Sequence, residues 1–503
     1  MKKILNGQAL PLSSLVPLEF TAFSNAVLKE VALGKRVCAY FGVPTSSRDR
    51  IDAFIVLADD GRNQLLVGRT SIEGDSFPSL TPRCPQVHLF EREIAEQFGL
   101  KAIDHPWFKP VRYIRSWTGK DAWDRHADKE ILSAVGDFYR VEGEQIHEVG
   151  VGPVHAGVIE PGHFRFQCYG EEVYHLEIAL GYQHRGIEEA LINGPNARTL
   201  HYMETLSGDS TIGHATAYSQ LIEGLSRSQV PARAHAIRGI ALELERLACH
   251  IGDLGALAGD VGFLPTTSFC GRIRGEILNM TALLCGNRFG RGMVRPGGTG
   301  FDADDNRVAE LLRRVAINEK DARNAINLLW DNQSVMARFE DTGPLTREQA
   351  IELGVVGPAA RATGLSRDVR YTQPTGIFRF AQITVSTYDS GDVFARAYVR
   401  WLEIQQSFTF IRDQLGCLPA GPVLSTTKPL AEESLVVSLT EGWRGEICHV
   451  GITDDKGMFS RYKVVDPSFH NWMALARVLR NQGISDFPIC NKSFNLSYCG
   501  HDL

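Results

Sequence analysis

The side chains best suited to redox chemistry in this chain are its ten cysteines: Cys38, Cys84, Cys168, Cys249, Cys270, Cys285, Cys417, Cys448, Cys490 and Cys499. No two of them form a CxxC pair. Nickel and clustered iron are held by thiolates that converge on one point, and hard oxygen ligands do not replace them. Scattered single cysteines read instead as buried or half-buried free thiols. A second candidate is the stretch GNRFGRGMVRPGGTGF, Gly286 to Phe301, with six glycines and three arginines. It lacks the GxxxxGK[ST] spacing that cradles phosphate between a strand and a helix. Its glycines are expected to let a loop pack closely on neighbouring backbone, with the arginines paired to carboxylates.

The elements that must position such residues belong to a large soluble core. The chain has 503 residues, 44% hydrophobic and 22% charged, with a net charge of -6, which predicts two or three folded domains and little disorder. No basic stripe of the kind that neutralises phosphates is present, so nucleic acid is excluded as a partner. The apolar stretch from Ile251 to Leu264 is broken by Asp253 and Asp260, so no direct membrane span is expected. The opening MKKILNGQALPLSS has no apolar run suited to a signal peptide. With unpaired cysteines, it predicts the cytoplasm.

Along the chain, residues 1–140 alternate strand-like runs (Arg36 to Val43, Asp52 to Leu57) with a helical stretch at Ala22 to Ala32, a small α+β unit. Near its end, HLFEREIAEQFGL (His88 to Leu100) has apolar residues at helical spacing with its acids on the other face, the pattern of an ordinary surface helix. Residues 141–503 are far more helical. From Arg233 to Leu257, Ile237, Ile240, Ala241, Leu244, Leu247, Ala248, Ile251 and Leu254 make one apolar face, which predicts a long bundle helix. Asp304 and Asp305 are placed to cap another, running to Trp330. The expected fold is α+β in two domains, the second mainly helical with peripheral strands.

Four runs occur in order: GPVHAGVIEPGHFRF (Gly152 to Phe166), LGYQHRGIEEAL (Leu180 to Leu191), RDVR (Arg367 to Arg370) and WRGE (Trp443 to Glu446). Together they resemble the large subunits of energy-converting nickel-iron hydrogenases and the 49-kDa subunit of respiratory complex I. HLFEREIAEQFGL followed by DHPWF (Asp104 to Phe108) resembles the 30-kDa complex I subunit that family members often carry fused in front. In such hydrogenases, the first pair of metal ligands lies in a stretch like RxCGxCSxxH. It is matched here by TLSGDSTIGH, with Ser207 and Ser210 in the thiol positions. The second pair is matched by SFNLSYCG, with Ser497 and Gly500 in those places and Cys499 one residue away. The chain ends at Leu503, without the tail that many such hydrogenases cleave after nickel insertion.

The resemblance implies an oxidoreductase-complex subunit without its own metal centre and with no cofactor held in this chain. It implies an iron-sulfur small subunit with a [4Fe-4S] cluster as neighbour, and antiporter-like and quinone-module-like membrane subunits as further partners, on the cytoplasmic face of the inner membrane. Complex I relatives bind a quinone headgroup in the emptied cavity through a histidine and a tyrosine. His155 or His163 matches the histidine, whereas Gly208 stands at the tyrosine position with Tyr202 nearby. Glu188 matches a proton-passing glutamate; it would relay protons if burial raised its pKa, or else pair with Arg185 or lie exposed. Arg444 matches the arginine held over the metal and is expected to pair with Asp209, since an unpaired charge in a vacated cavity is costly. Two functions follow: electron transfer to a quinone or other acceptor at the old cavity, coupled to ion translocation, or a scaffold whose cavity is plugged by Ser207, Asp209, Ser210 and Tyr498. An active hydrogenase would need thiolates that these positions lack.

Overall fold

Strand Arg36–Pro44 and strand Arg50–Asp59 are buried along almost their whole length, so both faces of the sheet they form must be covered. The computed structural model, which describes residues 1–45, 50–126, 128–381 and 383–503, shows what covers them. The N-terminal sheet is antiparallel, in the order Lys2–Ile4, Gln64–Glu73, Arg50–Asp59, Arg36–Pro44. The helix Phe20–Ala32, capped by the Glu19 carboxylate on Ala22 N, buries Phe23 and Val27 in its core. That same core takes in Leu435, Val437, Cys448 and Val450, from a sheet more than 350 residues later in the chain.

This C-terminal sheet has the order Phe459–Val465, Gly445–Thr453, Ser434–Gly442, Ala9–Pro11. Its last strand is contributed by the beginning of the chain, Ala9 to Pro11 lying antiparallel on Ser434 to Val436. A three-stranded antiparallel sheet, Ile146–Val151, His163–Tyr169 and Glu172–Ala179, stands apart.

The long helix Ala232–Asp260 runs through the middle, against Leu264–Cys285 and Val393–Gly416. All eight residues of the apolar face expected from the sequence are buried. The other faces are buried too, with Glu243, Arg246, His250 and Asp253 among the buried charged and polar side chains. Asp304 caps the helix Asp305–Trp330, its side chain accepting a hydrogen bond from Arg307 N. The glycine-rich loop packs closely, as at Gly297, where φ is +89° and a Cβ would stand 2.3 Å from Ser425 O. Its arginines do not pair as expected: Arg288, Arg291 and Arg295 form no ion pair among the described residues.

One expectation is overturned outright. The helix His88–Phe98 is not a surface helix, since ten of its eleven residues are buried, its three glutamates included. Distant partners compensate the acids. Glu91 accepts from Leu80 N and the Thr81 hydroxyl, Glu96 from three backbone amides between Val111 and Ile114, and Glu93 pairs with Arg112 and Lys463. Among the described residues no helix is long and apolar enough to cross a membrane.

Candidate functional site

Three pieces of backbone bring the motif residues together. The first is the loop Leu206 to Ser210, directly before the helix Thr211–Ser226. The second is the two-residue turn Trp443-Arg444, closed by the pair Gly442–Gly445 between two strands of the C-terminal sheet. Gly445 has φ +136° and a Cβ there would stand 2.8 Å from Gly357, so the turn is pressed against other backbone and tolerates only glycine. The third is the chain end, where Asn495 in the left-handed region stops the helix Phe487–Phe494 and Ser497 caps the last helical turn, accepting from Gly500 N at 3.0 Å.

At the meeting point, the Arg444 guanidinium grips Asp209 with two bonds of 2.6 and 2.7 Å. Its Nε donates to Asn495 O at 2.6 Å, and its plane lies 3.9 Å over the Trp443 ring. Ser207 donates to Asp209 at 3.0 Å and lies 3.0 Å from Ser497 Oγ, while Ser207 and Ser210 both sit 3.5 Å from Arg444 Nη1. Burial disfavours both charges, yet each outweighs it for the other: Asp209 is held below its ordinary value and Arg444 well above. The Arg444 side chain is only 5% exposed, whereas that of Asp209 is 37% exposed, so the pair faces outward through its acid.

Next to Asp209 lies a cavity of about 20 Å³, room for a single water, lined in part by Gly208, Glu245 and Cys249. Glu245 accepts from Ile212 N at 2.7 Å and Gly213 N at 3.1 Å, the first amides of a helix. Burial and the neighbouring Asp209 charge outweigh these bonds and push its carboxyl up to about 8. It therefore holds a proton at neutral pH. Beneath the serines runs a buried polar chain: Asp466 to His214 at 3.1 Å, His214 to His449 at 3.1 Å and His449 to Tyr462 OH at 2.8 Å. Burial keeps His449 neutral, and one set of tautomers satisfies every contact, with Tyr462 donating to His449, His449 to His214 and His214 to Asp466. Sequence reasoning misses Glu245, His214 and His449. A usable signal for Glu245 is its place four residues before Cys249 on a core helix, which puts both on one face.

The RDVR motif joins a second, fully buried network. Arg361 joins Glu403 and Glu441, Arg370 joins Asp368 and Glu243, and His250 lies 2.9 Å from Glu403. Arg246 donates to Glu441 O and Gly442 O, and so fixes the base of the turn that carries Arg444.

The other candidates lie elsewhere. Glu188 is buried, and its pKa is lowered: burial opposes this, and Lys463 at 2.8 Å and Arg461 at 2.9 Å prevail. Neither exposure nor a pair with Arg185 occurs, because Arg185 turns to the carbonyls of Thr205 and Leu206. A carboxylate clamped between two cations does not store a proton near neutral pH, which removes the raised-pKa relay. His155 bonds Gly162 O at 2.9 Å and His163 bonds Gly152 O at 3.3 Å, within one turn, and neither contacts Ser207, Asp209 or Arg444. Tyr202 packs on the cluster around Ile187 and Leu191. Tyr498 meets Trp472 edge to face, with ring centres 4.9 Å apart, rather than closing over Arg444. Gly208 is exposed, with nothing within 4 Å of an added Cβ.

Family models agree with this architecture. The model for the 30-kDa subunit of the respiratory-chain NADH dehydrogenase matches residues 22–125, and that for the 49-kDa subunit matches residues 260–434. The two matches lie in one polypeptide, the 30-kDa stretch ahead of the 49-kDa one. It is 28% identical over 448 residues to hydrogenase-4 component G of Escherichia coli (strain K12), covering 86% of this chain and 77% of that one. It is 29% identical over 350 residues to the carbon monoxide-induced hydrogenase of Rhodospirillum rubrum, covering 69% and 97%. It is also 29% identical over 342 residues to an NADH-quinone oxidoreductase subunit of Solibacter usitatus (strain Ellin6076), covering 67% and 92%.

Nickel-iron chemistry is therefore a fair test of this fused subunit. The positions matched to the metal ligands carry two hydroxyls already bonded to each other, a third beside Arg444, and a glycine whose Cβ would stand 2.6 Å from Asp466 Cγ. This donor set does not fit a soft thiolate-bound centre. Among the described residues, no three His, Cys, Asp or Glu side chains are grouped to hold a metal ion.

Proposed function

We propose that this chain is a large peripheral subunit of a membrane-associated redox complex, built like those its hydrogenase and NADH-quinone oxidoreductase relatives serve, and that it has no metal centre of its own. In this reading a 30-kDa-like domain of about residues 1–140 precedes a 49-kDa-like domain of 141–503. The chain docks an iron-sulfur subunit at the cytoplasmic face and couples it structurally to membrane partners. The bidentate Arg444–Asp209 pair carries the proposal. It satisfies charge and hydrogen bonding where a cluster would otherwise need four sulfurs, so the old cavity is closed by bonds internal to the chain. Metal analysis of a complex purified through a tag on this chain tests it. Iron from a partner cluster and no stoichiometric nickel are expected, and one nickel per chain would refute the reading.

A second reading, electron transfer to a quinone or other acceptor, is favoured by one observation, the open surface at Gly208 beside Asp209 and the protonated Glu245. Coupling to ion translocation would then begin at this surface. It requires quinone reductase activity in the purified complex that falls when Gly208→Trp fills the surface. Such activity left unchanged by that substitution would place the acceptor elsewhere.

A further inference from the structure

A larger cavity lies away from the Ser207–Arg444 cluster and shares none of its residues. It has a volume of about 720 Å³ and opens between the segment 106–113, the strand Glu172–Ala179 and the helix Pro467–Val478. Small-molecule sites have this size, with mostly apolar walls and a few placed polar groups.

One wall is a ring cluster. Trp107 lies 5.7 Å from Tyr139 and 5.9 Å from His175, and Tyr139 lies 4.7 Å from His175. Trp472 also lines the cavity; it is only 4% exposed, and its indole Nε1 has no hydrogen-bond partner. His175 Nε2 likewise has none. Buried donors without partners are costly to a fold, and those at a cavity wall are groups that a ligand can satisfy.

The charge of the cavity is unbalanced. Lys109 is neutralised by Glu177 at 2.5 Å. Arg92 donates to two carbonyl oxygens, Lys109 O and Pro110 O, which hold its guanidinium without cancelling its charge. Arg477 and Arg480 are exposed at the end of the helix, and none of these three arginines has an ion pair among the described residues. Against these four cations the cavity lining offers two acids, Glu352 and Glu177, the latter shared between Lys109 and Arg92. A helix C-terminus favours cations, which explains one basic residue there but not a second beside it repelling the first.

We propose that this cleft binds a small planar aromatic anion, its ring against Trp107, Tyr139 and His175 and its acidic group held by Arg477 and Arg480. Arginine pairs grip carboxylate and phosphate by the same planar fork, so the acidic group is of either kind.

Titration calorimetry on the full-length chain tests this. The probes are adenosine 5′-monophosphate and flavin mononucleotide for the phosphate arm and anthranilate for the carboxylate arm, with adenosine and inorganic phosphate as half-ligands. Saturable binding of an aromatic anion is expected, with each half-ligand at least about tenfold weaker, the size of one lost charge-assisted hydrogen bond. The double variant Arg477→Ala/Arg480→Ala should weaken binding by roughly tenfold while melting at the wild-type temperature, because both side chains are exposed. Trp107→Ala should weaken it as well. The proposal falls if no probe binds saturably, or if the bound probe is indifferent to the arginine variant.

Discussion

Glu188, which is buried, and Glu245, which is half-buried, are both acids on helical segments, and their surroundings drive them in opposite directions. Glu188 is wedged where the two domains meet, in an alternating chain of Arg461, Glu188, Lys463, Glu93 and Arg112. Glu245 sits beside the closed motif cavity with backbone amides as its donors and the Asp209 charge nearby. The first is locked ionised and serves cohesion between the 30-kDa-like and 49-kDa-like parts. The second is a proton holder. Burial alone does not make a carboxylate a relay; the charge on its neighbours decides.

Breaking the charge chain should have the largest effect. Lys463 bridges Glu93 at 2.6 Å and Glu188 at 2.8 Å, and all three side chains are at most 3% exposed. Lys463→Met leaves two buried carboxylates sharing fewer cations, for an expected loss of about 3–5 kcal/mol in denaturant unfolding. A loss under about 1 kcal/mol would mean that the chain is solvated and does not bind the domains together.

The contrast sharpens with pH. Glu245 carries a folded pKa of about 8 against an ordinary 4.5, so between those values the folded state holds a proton that the unfolded state has released. Stability contributed by this group must then fall as pH rises from about 5 to 8 and level off above. Glu245→Gln should remove that slope, about 1.4 kcal/mol per pH unit, and the gap between variant and wild type should widen toward pH 8. Glu188 has the reverse sign: its folded pKa is lowered, so its contribution is present above 4.5 and is lost as pH drops below. Matched slopes for Glu245→Gln and Glu188→Gln would erase the distinction between the two sites.

The sequence shows the helices and the meeting of its motifs, and it hides the partners. The apolar repeat from Ile237 to Leu254 and the Asp304 cap are local patterns, and the structure has both. Ser207 and Ser497 are 290 residues apart, and only the resemblance, which matches both to ligand positions, suggests that they are neighbours. Glu91, Glu93 and Glu96 read as a solvated face because a helical acid is ordinarily solvated, and Lys463 lies 370 residues further on from Glu93. For the same reason nothing local in Ala9 to Pro11 announces the edge of a sheet formed near the other terminus. The pKa of Glu245 depends on its burial and on the Asp209 charge brought beside it, and spacing carries no record of either.

The smallest expected effect tests the pairing that sequence spacing favours. Arg185 stands three residues before Glu188, the distance at which helical side chains meet, and removing a true buried partner there would cost as much as losing Lys463. In the structure Arg185 is exposed and donates instead to Thr205 O at 2.9 Å and Leu206 O at 3.1 Å. Those carbonyls belong to the loop that carries Ser207, so Arg185 steadies the approach to the motif cavity and leaves Glu188 to Arg461 and Lys463. Arg185→Ala should therefore change unfolding stability by no more than about 0.5–1 kcal/mol. It should also leave the acid limb set by Glu188 where it is. If the variant instead loses stability on the Lys463 scale and its acid transition moves, the clamp around Glu188 is held from its own helical turn, and the assignment of that charge chain to the domain junction fails.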